Sequence, residues 1–368
     1  MSERNPLIVC VCGARPNFMK IGPIVDALEQ TSSVETLLVH TGQHYDDKMS
    51  RLFFDELRIR KPDLNLEVGS ATHAAQTADV MKRFEPVCLE YRPTWVVVVG
   101  DVNSTVAAAL VAVKLGIKVA HVEAGLRSFD RTMPEEINRV VTDAISDMLF
   151  VTEPSGMENL LREGVDDGKA HLVGNVMIDT LLKNRARADQ SDILDVLRLE
   201  KKQYAVLTLH RPNNVDHVEV FSGILGALEE ISTEIPVIFP AHPRTQNNLA
   251  ETGLLHRVKA VAGLRMIDPL GYLDFVKLMA HSVLVLTDSG GIQEETTVLR
   301  VPCLTLRENT ERPITITHGT NRLTGTSPDR ILAGYREIRD GAPRMATLPA
   351  LWDGRATERI IAHLIAAC

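Results

Sequence analysis

Residues 283–295 read VLVLTDSGGIQEE. Val283 to Leu286 is a short apolar run of the kind that forms a parallel strand buried on both faces. Thr287 and Asp288 end it. Ser289, Gly290 and Gly291 turn the chain into a helix expected to begin near Ile292, with Ser289 as its N-cap. Two glycines let backbone approach a ligand closely. Unpartnered N–H groups and the positive end of the helix dipole make such a turn an anion site, and phosphate is its usual guest. Glu295, about one turn into the helix, is placed to accept hydrogen bonds from ribose hydroxyls. DSGG also echoes a serine-protease nucleophile loop, but that fold is all-β and nothing here reads that way.

The same strand–turn–helix unit recurs along the chain. Leu7 to Cys12 reads as the first strand, Gly13 to Asn17 as its turn, and Phe18 to Gln30 as the helix. That turn is not GxGxxG, so the dinucleotide fingerprint is absent and no nicotinamide cofactor is expected. Arg15 and Lys20 put two cations by it, which points to anion binding. Further strands are expected at Val34–His40, Trp95–Val99, Ile117–Val122 and Met148–Thr152. Helices are expected at about 47–57, 75–90, 103–115 and 155–163, with Asn103 or Ser104 capping the third, and another starts near Pro134. Pro134 fits the first turn of a helix on which Glu135 and Arg139, four apart, share a face. A polar stretch at 183–203, just after a helix near 176–184, marks the domain crossing. The alternation then resumes, with strands at Ala205–Leu209, Val237–Phe239, Leu264–Ile267 and 303–306. A helix holds Tyr272, Phe275 and Met279, and another spans about 328–339. Residues 355–368 form an amphipathic helix through Ile360, Ile361, Leu364 and Ile365.

About ten strand–helix alternations predict an α/β protein of two doubly wound, Rossmann-like domains with a ligand cleft between them. The expected bounds are 1–182 for the domain carrying most acid–base residues and 183–354 for the nucleotide-binding domain. The segment 355–368 is expected to pack back on the first. The 368 residues are 45% hydrophobic, enough for two cores, and the net charge of −8 disfavours nucleic acid as the main partner. Five cysteines are too few and too odd in number for a disulfide scaffold and suit a reducing cytoplasm. There is no leader pattern and no apolar run near 18 residues, so no membrane span is expected.

Ligands in such sheets bind at the carboxyl ends of the strands. Those ends collect Arg15, Asp101 and Glu123 in the first half, with Glu135 just beyond. In the second half they collect His210, His242 and the Ser289–Gly291 turn. Singly, each has a plain alternative: Asp101 as a helix cap, His121 and Glu123 as a surface pair, His210 as a satisfied core histidine. Together they point to general acid–base work beside a phosphate cradle. No close ligand spacing such as HExxH occurs, so no metal is assigned.

HVEAGLRS at 121–128, MPEEINR at 133–139 and LTDSGGIQEE at 286–295 make the chain resemble the non-hydrolysing UDP-N-acetylglucosamine 2-epimerases. GARPNFMK at 13–20, TGQH at 41–44, GDVNST at 100–105, TLHRP at 208–212, IDPLGYLDF at 267–275 and ENTERP at 308–313 extend the resemblance over nearly the whole length. It implies the two-domain fold of one large class of glycosyltransferases, a homodimer and a UDP-sugar substrate. It also implies interconversion of UDP-N-acetylglucosamine and UDP-N-acetylmannosamine without metal or cofactor. UDP would leave across carbons 1 and 2 to give a 2-acetamidoglucal, then add back. Carried over by motif, substrate contacts fall on Arg15, Lys20, Phe275, Ser289, Gly290, Gly291, Glu295 and Arg312. Acid–base roles fall on Asp101, Glu123, Glu135 and His210, with Arg139 supporting. A related epimerase of UDP-diacetamido-glucuronic acid and a glycosyltransferase of the same fold are the alternatives.

Many bacterial members of that family need UDP-N-acetylglucosamine as an activator. Gln43, His44 and His242 are the matching candidate regulatory residues. The family's next glutamine is replaced by Asp46 and its Arg-Gln or Gly-Gln pair by Gly69-Ser70 or Ser70-Ala71. An aspartate beside a diphosphate is repulsive, so activation is expected to be weak or absent.

Overall fold

The computed structural model describes residues 5–43, 55–341 and 346–368. The chain divides into two compact units, Met1–Lys183 with Ala350–Cys368, and Asn184–Pro349. Each is built on one parallel sheet.

In the first unit β1 (Leu7–Cys12), β2 (Glu35–His40), β3 (Leu64–Asn65), β4 (Trp95–Val99), β5 (Lys118–Ala124), β6 (Met148–Val151) and β7 (Ala170–Leu172) run in the order 3-2-1-4-5-6-7. Residues 95–99 read WVVVV and every one is buried, as a strand with helices on both faces requires. In the second unit the strands are β8 (Ala205–Thr208), β9 (Val237–Pro240), β10 (Leu264–Ile267), β11 (Leu284–Thr287), β12 (Cys303–Thr305) and β13 (Asn321–Leu323). Their order is 10-9-8-11-12-13. Winding reverses between β1 and β4 in one sheet and between β8 and β11 in the other. Crevices open at such points, so the residues just after those four strands are best placed for a ligand.

Several boundaries differ from expectation, each for a local reason. The first helix begins at Arg15, not Phe18, because the Asn17 side chain accepts the N–H groups of Gly13 and Ala14 and closes the turn early. The helix Asn103–Lys114 is capped by neither Asn103 nor Ser104: its N-cap is Val102, and the Gln43 side chain accepts the Ser104 N–H instead. β5 runs on to Ala124 through a register shift at Glu123. The strands β3 and β13 carry two and three residues, too short for any periodicity to show. The helix Val176–Ala188 continues past residue 184. The helix expected at 47–57 falls mostly outside the described residues.

The helix Ala356–Ala366 packs on the helix Arg15–Glu29 with Ile360 and Leu364 fully buried. Burial of such side chains contributes about 1.5–3 kcal/mol each. The Asp179 carboxylate accepts the N–H groups of Ala356 and Thr357 and so caps this helix from outside.

Candidate active site

In the first unit the polar residues at the ends of β1, β4 and β5 pair among themselves. Lys20, on the helix after β1, forms an ion pair with Glu123 at the end of β5, and their side chains are only 8% and 6% exposed. Gly100, at φ +68°, makes room for them: a Cβ there would lie 2.9 Å from Lys20 Nζ and 3.3 Å from Glu123 Oε2. Glu123 itself has φ +74°. A left-handed non-glycine residue costs on the order of 1 kcal/mol, and a bulge re-aims the side chain that carries it. The plain alternative of His121 and Glu123 as a surface pair does not hold, since both are buried.

Asp101, just after β4, holds Arg139 Nη2 at 2.5 Å, so it is an ion-pair partner and not a helix cap. Arg139 Nη1 also meets Glu136 Oε2 at 2.8 Å, three residues before it. Glu136 fixes the preceding loop as well, accepting from Ser128 N and Phe129 N at 2.9 Å each. Glu135, half-buried on the same helix, has no hydrogen bond or ion pair among the described residues. The side chain of Arg15 lies outside the described set.

His121 is fully buried, with Nδ1 2.6 Å from Asp143 Oδ1 and Nε2 2.8 Å from the Gly100 carbonyl. Burial would raise the Asp143 carboxyl, but His121 and Arg127 outweigh it and hold it below its ordinary value.

In the second unit His210 follows β8 and Asp288 follows β11. His210 Nδ1 lies 2.8 Å from Asp288 Oδ1; the imidazole is 59% exposed and the carboxylate fully buried. His210 is thus no core histidine. Next to Asp288, the Ser289 N–H donates to Thr287 Oγ1 at 3.0 Å, and the helix starts at Gly290, two residues earlier than expected. The amides of Gly290 and Gly291 therefore belong to a first turn that has no intrahelical acceptors for them. A Cβ on Gly290 would fall 2.5 Å from Arg312 Nη1. Arg312 is held there by Glu294 at 2.6 Å and lies 3.4 Å from Glu311, which also takes Arg307 at 2.7 Å and Arg211 at 3.4 Å. Glu295 accepts the Tyr272 hydroxyl at 3.0 Å, and burial with the Glu295 charge pushes that phenol well above its usual range. Phe275 stands half-buried one turn along from Tyr272.

Of the candidate regulatory residues, Gln43 is buried, and its amide oxygen accepts both the N–H and the Oγ of Ser104, at 3.1 and 2.6 Å. His44 and Asp46 lie outside the described residues. His242 is exposed just beyond β9. The partners that sequence reasoning missed are Asp288, Asp143, Glu294 and Glu311. Asp288 was in plain view in the opening stretch, but its meaning depends on β8 lying beside β11, which no local pattern encodes.

A family model described as UDP-N-acetylglucosamine 2-epimerase matches residues 26–365. The chain belongs to this family. A Methanococcus maripaludis protein named UDP-N-acetylglucosamine 2-epimerase is 44% identical over 329 residues, 88% of each chain. A Pseudomonas aeruginosa protein named UDP-2,3-diacetamido-2,3-dideoxy-D-glucuronate 2-epimerase is 40% identical over 332 residues, 89% of this chain and 91% of that one. The crystal structure of Methanocaldococcus jannaschii UDP-GlcNAc 2-epimerase in complex with UDP-GlcNAc and UDP superposes with a TM-score of 0.92 at 41% identity. It covers 98% of this chain and 99% of that one. The epimerase family is one of isomerases, and the two-sheet α/β fold is the one its solved members share. Among the described residues no helix is long and apolar enough to cross a membrane.

Proposed function

We propose that the chain interconverts UDP-N-acetylglucosamine and UDP-N-acetylmannosamine, as a cytoplasmic homodimer that supplies an amino sugar for cell-surface polysaccharide. The observation that carries this reading is the division of polar groups between the two sheets. One sheet edge gathers Asp101 and Glu123, each paired with a cation, and Glu135 just beyond. The other offers His210 beside a helix N-terminus at Ser289–Gly291.

The proposal assigns UDP to the second group and the hexosamine to the first. A base takes the proton from carbon 2, the electron pair forms the carbon 1–carbon 2 double bond, and the carbon 1–oxygen bond breaks onto the diphosphate. The helix N–H groups and Arg312 offset the charge that develops on the diphosphate. In the return step a second acid delivers a proton to the opposite face of carbon 2, and a UDP oxygen attacks carbon 1. Two faces need two separate acid–base groups, which explains several carboxylates on one edge. Glu295 takes ribose hydroxyls as it takes that of Tyr272, and Phe275 lies against the nucleotide.

Incubation with UDP-N-acetylglucosamine in deuterated water, followed by proton NMR, tests the reading. Deuterium at carbon 2 and a manno product are expected; neither would appear if the assignment is wrong. The diacetamido-glucuronate relative sets the rival substrate. Lys20 and Arg139 are already paired with carboxylates, which favours an uncharged hexose over a carboxylated one. The ratio of kcat/KM for the two sugars decides. Activation by UDP-N-acetylglucosamine is expected to be weak because of Asp46. UDP-N-acetylmannosamine alone should then be converted with a linear start, and a long lag abolished by traces of the gluco epimer would contradict this.

A further inference from the structure

We propose that Asp288 is a positioning residue for His210: it fixes the imidazole tautomer so that Nε2 is the atom presented to the leaving diphosphate. This rests on the epimerase reading and adds a residue to it.

The two Asp288 oxygens receive the His210 N–H at 3.1 and 3.2 Å, the Arg211 N–H at 3.0 Å and the Asn214 amide at 3.1 Å. Every one of these is a donor. A protonated carboxyl would turn its own hydrogen toward a donor, so the arrangement suits an ionised aspartate. Burial by itself would raise this carboxyl, but His210 and the backbone N–H groups outweigh it and leave it below its ordinary value. An ionised oxygen 2.8 Å from His210 Nδ1 accepts only, so Nδ1 carries hydrogen. In the neutral ring the lone pair must then sit on Nε2.

Asp288 is fully buried while His210 is 59% exposed, so the carboxylate steers the ring without meeting ligand. Asp288 is also joined to Ser289, and the Arg211 side chain donates to its backbone carbonyl at 3.0 Å. The residue that orients the acid–base group thus starts the turn that cradles phosphate. Any proton exchanged with the leaving or returning diphosphate moves at Nε2, and Asp288 stays ionised throughout.

The test begins without substrate. In protein labelled with nitrogen-15 at histidine, long-range proton–nitrogen spectra report the tautomer of each ring, and His210 is assigned by its loss in His210→Gln. The Nδ1–H tautomer is expected in the native protein, and an Nε2–H tautomer overturns the proposal even in a protein with no turnover. This readout is independent of deuterium exchange at carbon 2, so failure here and failure of the epimerase reading are told apart. Turnover gives the second arm. Asp288→Asn should lower kcat by about 100-fold with KM changed far less, and should add little to the loss already present in His210→Gln. Losses that multiply in the double variant would show that Asp288 acts on the fold and not through His210.

Discussion

Each unit holds a histidine braced by a buried aspartate, and the two pairs have opposite surroundings. His121 and His210 both turn Nδ1 toward a carboxylate, at 2.6 and 2.8 Å. Around His121 the protein closes: the second nitrogen meets the Gly100 carbonyl, and Asp143 is shared with Arg127 at 2.7 Å. Around His210 it stays open. The first pair is a strut between β5 and the helix Pro134–Ile145, because every polar atom of the ring has an internal partner. The second has one nitrogen to offer. Residue type and pairing are thus the same, and the fate of the second nitrogen separates a support from a reagent. The same contrast holds among the carboxylates. Glu123 and Asp101 are tied to Lys20 and Arg139, whereas Glu135 has no such tie among the described residues.

The largest effect expected is on rate. His210→Ala and Glu135→Gln should each lower kcat by about 10²–10⁴-fold, the range for loss of a general acid or base. Glu135→Gln should not move the thermal midpoint by more than a degree or two, since changes of this kind are worth about 0.5 kcal/mol or less, whereas His210→Ala should cost more because it takes a partner from the buried Asp288. Asp101→Asn should lower kcat similarly but also weaken stability, because Arg139 loses a partner. Asp101→Asn and Glu135→Gln should leave UDP affinity, read by calorimetry, within about threefold. Collapse of UDP binding in Glu135→Gln would break the assignment of diphosphate to the second unit.

The converse effect is on stability. His121→Ala leaves the buried Asp143 with one partner fewer and should cost about 3 kcal/mol, or on the order of 10 °C in the midpoint. Lys20→Met should act likewise through Glu123, and Glu123→Gln in that background should restore part of the loss. Both Asp143 and Asp288 lie below the ordinary value of 3.8 in the folded protein. Their contribution is therefore full above that value and is lost as pH falls through the lower folded one. Native stability should stay level down to about pH 5 and decline below about pH 4. Asp143→Asn should be less stable at neutral pH and show a shallower acid decline.

How much of this could be read from the chain differs between the two sites. The strand at 283–287 and its glycine turn were legible, because a strand–turn–helix unit is local and its anion chemistry follows from backbone alone. Asp101, Glu123 and His210 were legible as strand-end residues for the same reason. Pairings were not. Lys20 with Glu123 spans 103 residues, and His210 with Asp288 spans 78. Such partners depend on strand order, which periodicity does not carry. Glu135 and Arg139 show the limit even at short range: helical spacing put them on one face, yet Arg139 is drawn to Asp101 and Glu136. Nothing in the run of apolar residues marks the bulge that carries Glu123.

A smaller effect is expected at the cradle. Gly290→Ala places a methyl where the Arg312 guanidinium lies, and Glu294 and Glu311 limit how far that side chain can shift. Overpacking of this kind costs about 1–3 kcal/mol. UDP affinity should fall by about 10-fold or more, while a 2-acetamidoglucal offered without UDP should lose little. Equal losses for both ligands would mean that the cradle also shapes the sugar site.

The smallest effect concerns thiols, and it tests whether the two histidine pairs differ as struts. Burial pushes the Cys10, Cys88 and Cys303 thiols up to about 12 and Cys12 higher still, while Cys368 is exposed. At pH 8 a thiol of that kind is ionised in only about one molecule in 10⁴, so it reacts only when its surroundings open. Native protein should show one fast thiol, Cys368, and four slow ones. Cys10, Cys12 and Cys88 report on the sheet that His121 braces, and Cys303 on the sheet beside Asp288. His121→Ala should speed modification of the first three by severalfold more than that of Cys303, read by mass spectrometry of peptides after timed labelling. His210→Ala should speed none of them, because without the ring Asp288 still accepts the backbone N–H groups at positions 210 and 211 and the Asn214 amide. If Cys303 became faster in His210→Ala, His210 would be a strut as well as a reagent, and the distinction drawn from its open nitrogen would fail.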